Sequence, residues 1–337
     1  MKLLSLIGTR PQYIKIKPIF DYCKKNNVNH IIVDTNQHYS ESVSDYFIKE
    51  FSLEIDHNIG LNNSDEINFI SKSMESFSEI IKKENPDFVL LYGDTNSTLI
   101  GSLVCYKKSI PFAHVEAGLR CNDIKVPEEL NRIIADLTSD IQFTPIKNLL
   151  PNLKNGILCG DLEYELLNNN YDKPISYDGP IVMTLHRQRN LTKERLNSIF
   201  DFCESLDQQI NFYIHQRTKL FIEKNNIELP KNIQELPSAN YSEMVDALLK
   251  CKFIITDSGG LTKTSPFFGK KCLVMRKVIE WSETQENGYS KKYMNLDDPT
   301  WLKEFTINRN KKFYLGNSSP SKIIIESIKE LLNGNNK

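Results

Sequence analysis

At 337 residues the chain is longer than one ordinary small domain, and two domains of about 150 residues are expected. Hydrophobic content of 40%, charged content of 25% and a net charge of −1 with interspersed signs exclude disordered and fibrous classes. They also leave no nucleic-acid footprint and no membrane-surface field, and the apolar runs are too short to span a bilayer. Seven cysteines without a CxxC pair or zinc-ligand spacing predict reduced thiols in a cytoplasmic protein and no metal site. Met1 to Gly8 has one Lys and a short apolar stretch before a turn, so it reads as a first strand rather than a leader.

In chain order, strands are predicted at Leu3–Ile7, His30–Asp34, Phe88–Gly93, Pro111–Glu116, Asp140–Thr144 and Gly156–Cys159. Between them lie amphipathic stretches at Pro11–Lys25, Ser42–Glu50, Asp65–Glu84, Thr95–Lys107 and Glu128–Leu137. After a polar stretch at Asn168–Gly179 the alternation restarts. Strands are expected at Ile181–His186, Ile210–His215, Ile233–Leu236, Phe253–Asp257 and Lys271–Met275, and helices at Lys193–Leu206, Tyr241–Lys250, Gly259–Phe268 and Pro320–Leu332. Strands alternating with helices predict βαβ units, hence an α/β chain with two doubly wound, Rossmann-like domains.

Ligands on such sheets bind beyond the carboxyl ends of the strands, so the residues after each strand matter most. The first strand ends in Gly8-Thr9-Arg10-Pro11, a tight turn into a helix whose N-terminus favours an anion, with Arg10 and Lys15 placed toward the cleft. An ordinary strand–helix turn with two solvated bases is the plain alternative. Asp94 and Glu116 each stand at a switch from apolar strand to loop, and Glu128 opens a helix in Pro127-Glu128-Glu129-Leu130-Asn131-Arg132. Glu129 reads as a helix-end acid suited to the dipole. Carboxylates that converge on one cleft take up acid and base roles as their surroundings push their pKa values apart. In the second half, His186-Arg187 and His215-Gln216-Arg217 follow two strands, a pairing that favours anion binding. Thr256-Asp257-Ser258-Gly259-Gly260, opening a helix, has the make-up of a phosphate cradle; it is neither a Walker A loop nor a dinucleotide fingerprint. Arg276 follows the next strand, before Glu280-Trp281-Ser282-Glu283-Thr284.

Together these motifs resemble the non-hydrolysing UDP-N-acetylglucosamine 2-epimerase family. They are Gly8 to Pro11, Gln37-His38, Gly93-Asp94-Thr95, His114 to Arg120, Pro127 to Arg132, His186-Arg187 and Thr256 to Gly260, in the family's order over nearly the whole chain. The resemblance implies a fold like that of GT-B glycosyltransferases: residues 1–167 with the catalytic carboxylates, 168–319 binding UDP, and a last helix, 320–337, crossing back to the first domain. It also implies an active site in the interdomain cleft, a homodimer, and no metal or nicotinamide cofactor. The implied reaction is anti elimination of UDP across C-1 and C-2 to a 2-acetamidoglycal, then re-addition of UDP, for surface-polysaccharide precursor synthesis. Asp94, Glu116 and Glu128 would be the acid/base carboxylates, and His186 would act at the diphosphate or in proton transfer. Arg10, Lys15, His38, Arg120, Arg132, His215, Arg217, Ser258, Gly259, Gly260 and Arg276 would bind the nucleotide sugar.

Gln12, Gly160-Asp161 with Tyr164, Lys263, and Glu280-Trp281 with Glu283-Thr284 are similar to a branch acting on modified sugars, which includes UDP-2,3-diacetamido-2,3-dideoxyglucuronate 2-epimerases. The chain departs from the family where Arg189, Thr264 and Ile279 replace two acids and a Thr. Thr264 stands where the family carries a Glu for the ribose hydroxyls, and a threonine accepts fewer hydrogen bonds than a carboxylate. Rival readings are a hydrolysing 2-epimerase, a GT-B glycosyltransferase and a sugar-nucleotide-binding regulator.

Overall fold

A computed structural model describes residues 1–37, 41–60, 65–170, 173–277, 279, 281–293 and 319–334 of the 337. They divide into two compact units, one drawn from residues 1–172 with 314–337, the other from 173–313.

The first unit contains β1 (Lys2–Ile7), α1 (Arg10–Lys25), β2 (Asn29–Asp34), α2 (Glu41–Glu50), β3 (His57–Asn58), α3 (Glu66–Glu84) and β4 (Phe88–Tyr92). It continues with α4 (Asn96–Lys108), β5 (Phe112–Val115), α5 (Pro127–Thr138), β6 (Ile141–Thr144), β7 (Gly156–Leu158) and α6 (Leu162–Asn170). Its sheet runs β3-β2-β1-β4-β5-β6-β7, all parallel. Phe88 to Tyr92 are all buried, as expected of a central strand covered on both faces. The order reverses between β1 and β4, and on such sheets the carboxyl ends of the two strands at the reversal are where ligands bind. Gly8 lies there because of crowding: a Cβ would come within 1.9 Å of Thr35 Oγ1 and 2.5 Å of Ser97 Oγ. Gln12 locks the turns on either side of the switch point, donating to Tyr92 O at 2.7 Å and Thr95 Oγ1 at 2.9 Å.

The second unit holds β8 (Ile181–Thr184), α7 (Lys193–Ser205), β9 (Ile210–Tyr213), α8 (Gln216–Lys224), β10 (Ile233–Leu236), α9 (Tyr241–Lys250) and β11 (Ile254–Thr256). Then come α10 (Gly259–Thr264), β12 (Cys272–Val274), α11 (Ser282–Glu286) and β13 (Ser290–Lys292). The sheet order is β10-β9-β8-β11-β12-β13, again parallel, with its switch point between β8 and β11. Its core packs Ile181, Met183, Phe200, Phe212, Ile255 and Leu273. The helix expected over Gly259–Phe268 is α-helical only to Thr264 and continues as a 3-10 turn, Ser265–Phe268, where Pro266 lacks the N–H an α-helix would use.

A final helix, α12 (Pro320–Gly334), belongs to the first unit and packs against α1 and α6. Glu165 on α6 accepts from Ser321 N at 2.8 Å and Ser321 Oγ at 2.7 Å, satisfying free donors at the start of α12. Tyr22 on α1 donates to Glu326 at 3.1 Å. No described helix is long and apolar enough to cross a membrane.

Candidate active site

Asp94 follows β4 and Glu116 follows β5, neighbouring strands with their carboxyl ends side by side. Neither acid stands alone. Arg132 Nη2 reaches Asp94 Oδ2 at 2.5 Å while Nη1 reaches Glu129 at 3.1 Å, and Lys15 Nζ is paired with Glu116 Oε2. Lys15 and Arg132, expected from the sequence to hold the nucleotide, are each paired with one of the two carboxylates. Gly93 makes room: its φ is +67°, and a Cβ would lie 3.1 Å from Lys15 Nζ and 3.4 Å from Glu116 Oε2.

Glu116 has a φ of +74°, a left-handed conformation that costs a residue with a Cβ about 1–3 kcal/mol. The turn persists because the N–H groups of Glu116 and Ala117 both donate to Phe143 O, at 2.9 and 3.0 Å. Strain held at a strand end, with a carboxylate aimed by it, is common where chemistry is done. A recess beside Glu116 is lined by Lys15, Val115, Pro145, Gly160, Asp161 and Leu162.

Glu128 lies in the first turn of α5, exposed, with no hydrogen bond or ion pair among the described residues. Its helical spacing of three and four puts it on the same face as Asn131 and Arg132. Asn131 donates to Asp94 O at 2.9 Å, and Arg132 holds the Asp94 side chain. Glu129, read as a helix-end acid, instead buries its carboxylate beneath the preceding loop and accepts from Cys121 N and Asn122 N at 2.9 and 3.0 Å. His114 is fully buried, with Nδ1 2.5 Å from Asp136 and Nε2 2.7 Å from Gly93 O. It fixes the loop that carries Asp94. Arg120, also expected at the ligand, pairs with the same Asp136 at 2.7 Å. Arg10 is exposed at the head of α1, its guanidinium 5.7 Å from the Phe47 ring centroid. His38 lies outside the described residues.

In the second unit His186, just past β8, sets Nδ1 3.0 Å from the buried Asp257 at the end of β11. Asp257 also accepts from His186 N and Arg187 N, and from Asn190 Nδ2 at 2.9 Å. Burial alone would push this carboxyl up; the hydrogen bond and charge of His186, with the N–H donors, hold it below its ordinary value. Asp257 was not singled out in the sequence, although an acid directly after an apolar strand is the signal that marked Asp94. His215 caps α8, its Nδ1 accepting from Arg217 N at 3.2 Å, and its ring centroid is 6.1 Å from that of His186. Burial, then the His186 and Arg217 charges, lower its pKa, in keeping with a neutral acceptor nitrogen. Arg217 is exposed on α8.

Ser258 caps α10 and accepts from Leu261 N at 3.4 Å; Thr256 Oγ1, bonded to Thr184 Oγ1 at 2.6 Å, accepts from Ser258 N. At Gly260 a Cβ would meet nothing nearer than Ser258 Oγ at 3.7 Å, so the fold does not demand glycine there. Arg276 is buried just past β12. Thr264 turns its hydroxyl back onto Gly260 O at 2.8 Å, and Lys263 is buried with Nζ 5.6 Å from the Trp281 ring centroid. Among the described residues no cluster of His, Cys, Asp and Glu has a metal-holding arrangement.

A family sequence model described as UDP-N-acetylglucosamine 2-epimerase matches residues 21–314. The chain belongs to this 2-epimerase family. It is 34% identical to the UDP-N-acetylglucosamine 2-epimerase homolog of Methanococcus maripaludis, over 98% of this chain and 100% of that one. It is 35% identical to the UDP-2,3-diacetamido-2,3-dideoxy-D-glucuronate 2-epimerase of Pseudomonas aeruginosa, over 84% of this chain and 85% of that one. Its fold is similar to the crystal structure of Methanocaldococcus jannaschii UDP-GlcNAc 2-epimerase in complex with UDP-GlcNAc and UDP. The TM-score is 0.82 and the identity 30%, covering 98% of this chain and 100% of that one. Two Rossmann-like sheets, the class expected from the sequence, are thus the fold of a solved 2-epimerase.

Proposed function

We propose that the chain is a non-hydrolysing 2-epimerase of a UDP-linked 2-acetamido sugar, either UDP-N-acetylglucosamine or a modified derivative. In this reading it is a cytoplasmic homodimer and supplies a surface-polysaccharide precursor. The observation that carries the reading is the pair of strand-end carboxylates, Asp94 and Glu116, each held by a cation of its own unit in a chain of this family. The C-2 proton of such a sugar is not next to a carbonyl, so no enolate path is open. Elimination across C-1 and C-2 avoids the difficulty: a carboxylate takes the C-2 proton as the C-1–oxygen bond breaks and its electron pair leaves with UDP. Re-addition of UDP to the 2-acetamidoglycal, with the proton returned to the opposite face of C-2, closes the cycle. The steps are redox-neutral.

Asp94 and Glu116, fixed by Arg132 and Lys15, serve as acceptor and as stabilisers of positive character at C-1. Glu128, exposed and without an ion pair among the described residues, is the group left to carry a proton. Asp257 orients His186, leaving Nε2 for the diphosphate or for proton transfer, as second carboxylates do for catalytic imidazoles. Ser258, Gly259 and Gly260 supply N–H donors, with Arg276, for the leaving diphosphate. All seven cysteines are unbridged thiols, which supports a reducing compartment. Incubation with a panel of UDP-2-acetamido sugars, with products separated by ion exchange, tests the reading. A C-2 epimer still linked to UDP is expected; free reducing sugar formed in proportion to turnover would replace it with a hydrolysing enzyme.

A further inference from the structure

We propose that His114 is a doubly protonated imidazolium and that, with Asp136, it is the positioning pair for both strand-end carboxylates, Asp94 and Glu116. Its charge follows from its hydrogen bonds alone. Its effect on turnover rests on the reaction proposed above.

Both ring nitrogens of His114 face acceptors. Nε2 lies 2.7 Å from Gly93 O, and a carbonyl oxygen can only accept, so Nε2 carries a proton. Nδ1 lies 2.5 Å from Asp136 Oδ1. The other oxygen of that acid, Oδ2, accepts from Gly118 N at 3.0 Å and from Arg120 Nη1 at 2.7 Å, which holds the group as a carboxylate. The second proton therefore stays on Nδ1, and the ring donates at both ends. Burial would push the Asp136 carboxyl up; the hydrogen bond and charge of His114, and then Arg120, hold it below its ordinary value. A charge as fully buried as this ring is tolerated only when paired and hydrogen-bonded, and all four polar side-chain atoms of the pair have partners. His215 makes the contrast: its Nδ1 accepts from Arg217 N, so that ring keeps a bare nitrogen.

The pair reaches both turns that carry the acids. Gly93, directly before Asp94, has a φ of +67°; Glu116 has +74° and Gly118 +89°. His114, in β5, grips the carbonyl of the first of these residues, and Asp136, on α5, grips the N–H of the last. One ion pair thus ties together three left-handed residues in two neighbouring loops. A ring with a single proton could donate to Gly93 O or to Asp136, not to both, and one of the two turns would lose its tether. Support of this kind, behind the groups that react, is what holds such groups in a productive geometry.

NMR of the full chain carrying isotope-labelled histidine reads the ring directly. Near neutral pH one of the six histidines should show two protonated ring nitrogens, and the signal should vanish in His114→Gln. Should that variant not fold, a shift of the signal in Asp136→Asn assigns it. Both single variants should bind UDP in calorimetry with wild-type affinity and stoichiometry, while exchange of the C-2 hydrogen of a UDP-2-acetamido sugar falls roughly 10²-fold. The double variant should fall no further, because either change already breaks the pair. A His114 ring with one unprotonated nitrogen, unchanged exchange in both single variants, UDP binding lost together with exchange, or losses that multiply in the double variant would overturn the proposal. A wild type that exchanges no C-2 hydrogen unseats the proposed reaction instead, and the charge of His114 still stands or falls on its own signal.

Discussion

Glu116, proposed here as a reacting group, carries its carboxylate on a backbone that a side chain dislikes. Replacing it by Gly or by Ala removes the same carboxylate and leaves Lys15 equally unpaired, so the difference between the two variants isolates the backbone. At a φ of +74° the Gly variant should be the more stable by about 1 kcal/mol in denaturant unfolding. Equal stabilities would mean that the turn after β5 is relaxed in solution. The isosteric changes Asp94→Asn, Glu116→Gln and Glu128→Gln should each slow turnover by roughly 10²–10⁴ while the protein stays folded. Normal rates in all three would remove the carboxylate mechanism.

At the scale of elements, each unit carries its candidate reactive groups at or beside the strands of a switch point. Asp257 shows how the second sheet does it, since one buried carboxylate sets the β8 exit, the start of the following turn and the His186 ring. Its pKa is held below the unfolded carboxylate value of about 3.9. Its contribution to stability is therefore complete above that value and is lost as pH falls through the lower folded value. Acid unfolding followed by fluorescence should show Asp257→Asn less stable near neutrality and less sensitive to pH on the acid limb. Identical acid limbs would deny Asp257 that role. Gly260→Ala is a probe of the diphosphate cradle: the fold has room for the methyl, so melting should be unchanged while KM for the UDP-sugar rises. An unchanged KM would take Gly260 out of the anion site.

The strands and longer helices were legible in the sequence because buried β-strands read as short apolar runs and most surface helices as amphipathic ones. The two-residue β3 is too short for a period to show, and β13, Ser290-Lys291-Lys292, has no apolar residue to mark it. Helix α6 was hidden because its Asn168 to Asn170 end reads as linker, although Leu162, Leu166 and Leu167 are buried. Helix α8 was missed because its buried face is little more than Thr218 and Ile222. At the site, Asp94, Glu116 and His186 were legible as polar residues closing apolar strands. What sequence could not supply was the pairing. Lys15 and Glu116 are 101 residues apart, and Arg132 and Asp94 are 38 apart. Only the sheet order sets these two cations, expected from the sequence to hold the nucleotide, beside the carboxylates.

For the whole molecule, substrate choice and reaction type are separate questions. In the proposed reading the three carboxylates and His186 bear on the reaction, whereas Thr264 and Lys263 bear on which sugar nucleotide is accepted. Thr264 now spends its hydroxyl on Gly260 O, so Thr264→Glu should lower KM for UDP-N-acetylglucosamine if the lost acid diverts specificity, and an unchanged KM would clear that position. The central claim, inversion at C-2 through loss of its proton, is tested most directly by NMR of a UDP-2-acetamido sugar incubated with the enzyme in deuterium oxide. The account predicts deuterium at C-2 in both epimers, with the sugar still linked to UDP. Epimers formed without deuterium at C-2, or no exchange with any UDP-2-acetamido sugar, would contradict it.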